Sequence, residues 1–245
     1  IAVVARLTGA AELAELRRTF GPRFHDLSAL DDPGAAAHIR ALHLDVLVDL
    51  ALYNDNARPG ILAWRPAPVQ VVWEGAAYSS GAPWMDYVVA DAVVRPGDGW
   101  CSEAEVLLPA CYFVYGRDGA PPPPPSRASL GLPADKFVFA SLNTAAKLEP
   151  GSFERWMRIL AQCPDSVLWL LASGGAPQVL NLKREAEWRG IDPRRLLLAN
   201  RVAPLAHVAR QGAADLFLDT FLCNGHTTVA ESLWAGTPVL TLPGR

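Results

Sequence analysis

The residues best placed to do chemistry lie in the segment Asp219-Thr-Phe-Leu-Cys-Asn-Gly-His-Thr-Thr-Val-Ala-Glu-Ser-Leu-Trp-Ala-Gly-Thr-Pro238. It follows an apolar run of strand length and opens a helical pattern. Asn224-Gly225 can turn sharply, and Thr227 or Thr228 can cap a helix running to about Ala235. Free backbone N–H groups and the positive end of that helix would then face the carboxyl edge of a sheet, a setting that suits phosphate. His226 sits at the mouth of the turn, but the loop carries no Lys of its own. A second segment, Asn143-Thr-Ala-Ala-Lys147, follows another strand-like run and can supply the missing point charge, neutralising a leaving diphosphate. His207 and Arg210, one helical turn apart after a further strand, form a third piece. Singly, each has a plain structural reading: a helix cap, a turn residue, a solvated lysine. Three loops with polar groups at one sheet edge together favour a nucleotide site. No G-x-G-x-x-G after a strand, Walker lysine motif or G-x-S-x-G elbow is present, which argues against dinucleotide oxidoreductases, P-loop NTPases and α/β-hydrolases.

These loops need a framework. Apolar runs Phe137–Phe139, Ser166–Ala172, Arg195–Leu198, Leu216–Leu218 and Pro238–Leu242 have the length of buried strands. Between them run helical patterns, such as the stripe Phe153, Trp156, Met157 and Leu160. Strands alternating with helices imply a parallel sheet, here five strands and four helices in a nucleotide-binding-type α/β domain. The first half reads as α/β too. Its strands are Ile1–Ala5, Asp45–Leu50, Val69–Trp73 and Tyr87–Ala90, and its helices cover 9–18 and 34–43, the second announced by Asp31-Asp-Pro33. Five prolines, Pro121–Pro125, can join neither a helix nor a central strand. They divide the chain into a first lobe at 1–118, a proline-rich linker at 119–130 and a second lobe at 131–245.

Composition narrows the field. Half of the 245 residues are hydrophobic (51%) and only 19% charged, so a sizeable core is available and bulk disorder is excluded. The net charge of -3 offers no basic footprint for nucleic acid or anionic membrane. No apolar run reaches the ~18 residues of a membrane span. Cys101, Cys111, Cys163 and Cys223 are scattered without metal-ligand spacing, so they read as buried or idle thiols and no metal site is expected. The start at Ile1 has no signal-peptide character. Both ends read as cut, leaving the first lobe incomplete at its N-terminus and the second truncated at its C-terminus.

Several stretches resemble one family. Arg65-Pro-Ala-Pro-Val-Gln70, Gly81-Ala-Pro-Trp-Met-Asp-Tyr87, Asp165–Leu171, Ala214-Asp-Leu-Phe-Leu-Asp-Thr220, Asn224–Thr228 and Leu233-Trp-Ala-Gly-Thr-Pro238 are similar to the catalytic region of the O-linked N-acetylglucosamine transferases, glycosyltransferase family 41, over about 40–245. The resemblance implies a GT-B architecture of two Rossmann-like lobes with parallel sheets, a UDP-sugar held mainly by the second, and no metal or other cofactor. It implies inverting transfer of N-acetylglucosamine to Ser or Thr hydroxyls of a protein acceptor, in the cytoplasm, with a superhelical repeat array upstream. By motif, Lys147 and His226 take the catalytic positions, Lys147 at the diphosphate. Thr227 and Thr228 lie along the phosphates and sugar, and Ala203, His207 and Arg210 surround the uracil. Glu231 stands where the family has an Asp for the ribose hydroxyls. Gly75 belongs to the loop against the donor sugar.

That loop departs from the family's Trp-Leu-Gly-Tyr-Pro-Gly-Thr-Ser-Gly, reading Trp73-Glu-Gly-Ala-Ala-Tyr-Ser-Ser-Gly81. The family's His-Pro loop, with a favoured base candidate, would precede Ile1. Asp45 and Asp49 flank a strand and are the substitutes within the chain, but exposed Asp carboxylates are poor bases at neutral pH. The chain as given is therefore expected to bind donor without transferring it. A catalytically silent UDP-sugar-binding or interaction module is the alternative from another class, and an unrelated Rossmann-like nucleotide binder a third.

Overall fold

A computed structural model of the chain describes residues 2–4, 10–55, 57–75, 78–116 and 119–242. The ends of the expected first strand (1 and 5), helix residue 9, loop residues 76–77 and the last two residues of the expected first lobe, 117–118, lie outside them. Two compact units form, Ile1–Val114 and Tyr115–Arg245.

In the first unit, β1 (Ala2–Val4) is followed by α1 (Ala10–Phe20) and pairs in parallel with β2 (Phe24–Asp26). Next comes α2 (Asp32–Ala41), where the Asp31 carboxylate caps the helix by accepting the Gly34 N–H at 2.9 Å and Pro33 occupies the first turn. Four further strands, β3 (Val46–Asp49), β4 (Val69–Val72), β5 (Tyr87–Asp91) and β6 (Ala104–Leu108), make a second parallel sheet in that order. The short α3 (Pro59–Ala63) connects β3 to β4. Leu52, Leu62, Val72, Met85 and Val88 form one core, and Leu27, Ala35, Ala36, Ile39 and Ile61 another.

Three of these elements escape the sequence pattern. β2 is three residues long and α3 five, too short for periodicity to register. β6 reads Ala-Glu-Val-Leu-Leu, mostly good helix formers, yet pairs with β5 from Tyr87↔Ala104 to Asp91↔Leu108, so tertiary pairing overrides local propensity.

The second unit has the five strands and four helices that the spacing implies. They are β7 (Phe137–Ser141), α4 (Pro150–Gln162), β8 (Ser166–Leu171), α5 (Gly175–Trp188), β9 (Leu196–Ala199), α6 (Pro204–Gln211), β10 (Leu216–Leu218), α7 (Thr227–Trp234) and β11 (Val239–Leu240). Every strand pair is parallel, in the order β11-β10-β7-β8-β9. Both faces are covered. Leu168 and Leu170 of β8 pack with Phe153, Trp156, Met157 and Leu160 of α4, while Val167, Trp169 and Leu171 join Val138, Ala140 and Phe217 on the opposite face. Burial on both sides is why these strands read as unbroken apolar runs.

The proline run lies within the second unit, and the chain just beyond it is docked there. Arg127 donates to the carbonyls of Ala213 and Lys136, each at 3.0 Å, and to the Asp215 carboxylate at 2.7 Å. Among the described residues, no helix is long and apolar enough to cross a membrane.

Candidate functional site

Strand order locates the site. β7 is flanked by β8 on one side and β10 on the other, so the connections after β7 and β10 leave the sheet's carboxyl edge in opposite directions and open a crevice between them. Lys147 ends a short 3₁₀ turn, Ala145–Lys147, directly after β7. The 219–228 segment follows β10. Across the crevice the Lys147 Nζ donates to the Asn224 carbonyl at 2.7 Å, so the two loops read from sequence do meet.

The 219–228 segment is folded around Asp219, which is 2% exposed. One carboxylate oxygen accepts the N–H groups of Thr220 at 2.9 Å and Gly225 at 2.8 Å, and the Asn143 side-chain amide at 3.2 Å. The other accepts the Thr241 hydroxyl at 2.8 Å. The Asn224 side chain donates to the Thr220 carbonyl at 2.7 Å, and the Thr220 hydroxyl to that of Cys223 at 2.6 Å, closing the turn on itself. Gly225 is demanded by this packing. A Cβ there would stand 2.8 Å from Val229 Cγ2, 3.0 Å from Asn143 Oδ1 and 3.2 Å from Asp219 Oδ1.

The cap expected from the threonines is not what forms. α7 begins one residue earlier, with His226 in the N-cap position and no side-chain cap, and Thr227 and Thr228 occupy the first two helical positions. The Ala230 N–H donates to the His226 carbonyl at 3.0 Å, which makes that the first intrahelical bond. The helix stops at Trp234, where Gly236 takes the left-handed φ of 87° and the Thr237 N–H returns to the Ser232 carbonyl at 2.9 Å. Desolvation lowers the His226 pKa below the usual imidazole value, with the Lys147 cation adding to it and Asp219 opposing. His226 is thus held toward its neutral form at the mouth of the crevice.

The third piece is brought in by α6, which carries the chain from β9 to β10. Ala203 precedes this helix, and its carbonyl accepts the His207 N–H at 2.9 Å. Arg210 is buried beneath His207, donating to the Asn200 carbonyl at 2.6 Å, with its guanidinium 5.8 Å from the Trp169 ring centroid. Its other arm lies 2.7 Å from His207 Nδ1. Because a guanidinium can only donate, Nδ1 is the acceptor and the ring proton sits on Nε2. Burial, then the Arg210 and Arg201 cations, lower the His207 pKa to about 4. Nε2 lies 3.8 Å from the carboxylate of Glu231, a buried residue of α7 that Gln211 approaches at 3.4 Å. His207, Arg210 and Glu231 therefore form one polar cluster under the α6–α7 contact.

Gly75 belongs to the first unit and has a packing reason of its own. A Cβ there would lie 2.7 Å from the Ala51 carbonyl carbon and 2.8 Å from both Leu52 N and Leu52 Cβ. The surrounding loop is strapped down. Asn54 donates to the Gly75 carbonyl at 2.7 Å, Tyr53 to that of Ser80 at 2.5 Å, and the Glu103 carboxylate accepts the Ser79 hydroxyl and the Ser80 N–H, both at 2.7 Å. Glu74, a departure from the family loop, holds a left-handed φ of 64° and accepts the Val114 N–H at 2.8 Å. Asp49 is committed to its turn as well, taking the N–H groups of Ala51 at 3.1 Å and Leu52 at 3.0 Å.

Comparison with known proteins decides the family. A profile described as glycosyl transferase family 41 matches residues 17–118 and 124–245. The chain belongs to glycosyl transferase family 41. Every candidate residue of this family 41 chain lies inside the matched stretches. It is 38% identical over 228 residues to the probable UDP-N-acetylglucosamine–peptide N-acetylglucosaminyltransferase SEC of Arabidopsis thaliana, covering 90% of this chain and 23% of that protein. A UDP-N-acetylglucosamine–peptide N-acetylglucosaminyltransferase of Caenorhabditis elegans is 26% identical, with 90% and 29% covered. Among solved structures, a mutant O-GlcNAc transferase of Thermobaculum terrenum superposes with a TM-score of 0.87 at 30% identity, over 99% of this chain and 46% of that one. That likeness makes the fold GT-B, with two α/β lobes built on parallel sheets. The family 41 chain spans about a quarter of the length of these curated relatives.

The residues that sequence reasoning left without a role are Asn143, Asp219 and Gln211. Each is a polar residue at or near the end of an apolar element, and that position is the signal that marks them.

Proposed function

We propose that this family 41 chain supplies the donor site of a transferase. The enzyme moves N-acetylglucosamine from UDP-N-acetylglucosamine to Ser or Thr hydroxyls of proteins, with inversion and without a metal ion. The observation that carries this reading is the meeting of Lys147 with the Asn224–Thr228 turn at the switch point of the second unit's sheet. An ammonium and the start of a helix there can take the charge that develops on a departing diphosphate, the service a metal ion performs elsewhere. Neutral His226 adjoins the same turn. The His207–Arg210–Glu231 cluster offers an Nε2–H donor and a carboxylate acceptor, the complement of a nucleoside's carbonyl and hydroxyl groups. Lys147 and His226 take the catalytic roles, Ala203, His207 and Arg210 the base, Glu231 the ribose, Thr227 and Thr228 the phosphates, and Gly75 the sugar side. Three exposed free thiols, Cys111, Cys163 and Cys223, fit a reducing, cytoplasmic setting. The greater length of the relatives leaves room for the repeat array expected upstream.

Calorimetric titration of the chain with UDP and UDP-N-acetylglucosamine in EDTA tests the reading. Binding that needs added Mn²⁺ or Mg²⁺ would overturn the metal-independent site. No binding under either condition would overturn the donor site itself.

A further inference from the structure

The Asn224 carbonyl and the Gly225 N–H belong to one peptide group, and two charged side chains hold it from opposite sides. Lys147 Nζ donates to the carbonyl at 2.7 Å, and Asp219 accepts the N–H at 2.8 Å. The peptide is trans, so its C=O and N–H point apart, and rotating the plane would break both contacts at once.

We infer that Asp219 is a positioning residue that locks this peptide plane, so that the turn leading into Thr227 and Thr228 keeps its shape when Lys147 turns to a diphosphate. This deepens the donor-site reading and rests on it. An ammonium at the diphosphate must share or surrender its bond to the Asn224 carbonyl. At that moment the only remaining hold on the plane, among the contacts just described, is Asp219.

The carboxylate is built for holding rather than for ion pairing. Among the described residues its four hydrogen-bond donors are all neutral, and they come from the loop after β7, the end of β10, the turn itself and the end of β11. Asn143, 6% exposed, is oriented by it. Its amide nitrogen points to Asp219 and to the Thr220 hydroxyl, each at 3.2 Å, and its carbonyl oxygen is left buried beside Gly225 without a partner among the described residues. Such an orphan costs stability, and it accompanies the commitment of the donor half of the amide to the Asp219 cluster. Gly225 completes the arrangement, since a methyl there would intrude on both Asn143 and Asp219.

The test compares Asp219→Ala, Asp219→Asn and Thr241→Val in the 245-residue chain, with two readouts. One is hydrogen exchange of the Gly225 amide in the free protein, the other UDP affinity by calorimetry. Asp219→Ala should strip Gly225 of its protection and weaken UDP by about tenfold or more, the loss of one charge-assisted hydrogen bond. Asp219→Asn keeps an acceptor oxygen for Gly225 and should restore protection, with affinity within about threefold of the unaltered chain. Thr241→Val removes the donor to the far carboxylate oxygen and should leave Gly225 protected. Should Asp219→Ala fail to fold, Gly225→Ala tests the same contact, because its methyl displaces the turn from the carboxylate and should weaken UDP comparably. A Gly225 amide equally protected in folded Asp219→Ala, or UDP affinity unchanged in folded Asp219→Ala and Gly225→Ala, would overturn the inference. Failure of the unaltered chain to bind UDP would instead overturn the donor-site reading, and Gly225 exchange would still decide whether Asp219 holds the plane.

Discussion

Acid should unlock the second unit through His207. In the folded chain its pKa is about 4, against 6.5 for an ordinary histidine, because the ring is buried beside Arg210 and Arg201. As pH falls below about 6.5 the unfolded chain takes up a proton that the folded chain refuses, so stability is drained toward the unfolded state. The contribution is intact at neutral pH, about 2 kcal/mol is gone by about pH 5, and about 3 kcal/mol by about pH 4, where the folded ring is itself half protonated. Other groups lose stability in acid too, among them His226 with its lowered pKa. The measurement is therefore a difference. Urea unfolding of the chain and of His207→Gln is followed by tryptophan fluorescence at about pH 7.5, 5 and 4. Gln can accept the Arg210 N–H but cannot titrate, so its profile should lack the His207 portion and converge on or pass above the parent in acid. Two profiles that stay parallel across that range would refute the neutral, Nε2–H assignment of His207 and the polar cluster built on it.

In the proposed donor site, Lys147→Ala removes the cation that would face the diphosphate. It should weaken UDP by about 10- to 100-fold while leaving uridine within about twofold, measured by calorimetry. Gly75→Ala forces a methyl to within 2.7–2.8 Å of the Ala51–Leu52 backbone, and should destabilise the first unit by about 1–3 kcal/mol in a thermal or urea melt. Arg127→Met forfeits three hydrogen bonds, two to backbone carbonyls and one to the half-buried Asp215, so a loss of about 1–3 kcal/mol in urea unfolding of the second unit is expected.

How much of this was legible depends on burial. β7 and β8 are covered on both faces, so their apolar runs stand out in the sequence, and with them the loops that must follow. That is why Lys147, His207, Arg210 and His226 could be singled out. β6 hid behind helix-forming residues, and β2 and α3 were too short to carry a period. The threonine cap failed by one residue, since a turn fastened by Asp219 brings His226, not Thr227, to the helix entrance. The peptide held between Lys147 and Asp219 left no trace in spacing. It exists only once β10 lies beside β7, and no local pattern encodes that neighbour.

The placement of β10 beside β7 also sets when the site can come into being. Asn143 and Thr220 touch across 77 residues of chain, and Lys147 and Asn224 likewise. Closing so long a loop costs conformational entropy before any contact rewards it, so this pairing is expected to form after the local ones. During synthesis β7, α4, β8, α5 and β9 emerge first and can assemble, with one edge of β7 still bare. An open parallel edge is prone to pair with another chain. The segment from β10 through α7 therefore closes a hazardous edge in the same event that completes the crevice of the proposed donor site. A nucleotide that binds there would act on newly made chains as a seal, favouring the finished molecule by mass action over every partly folded precursor.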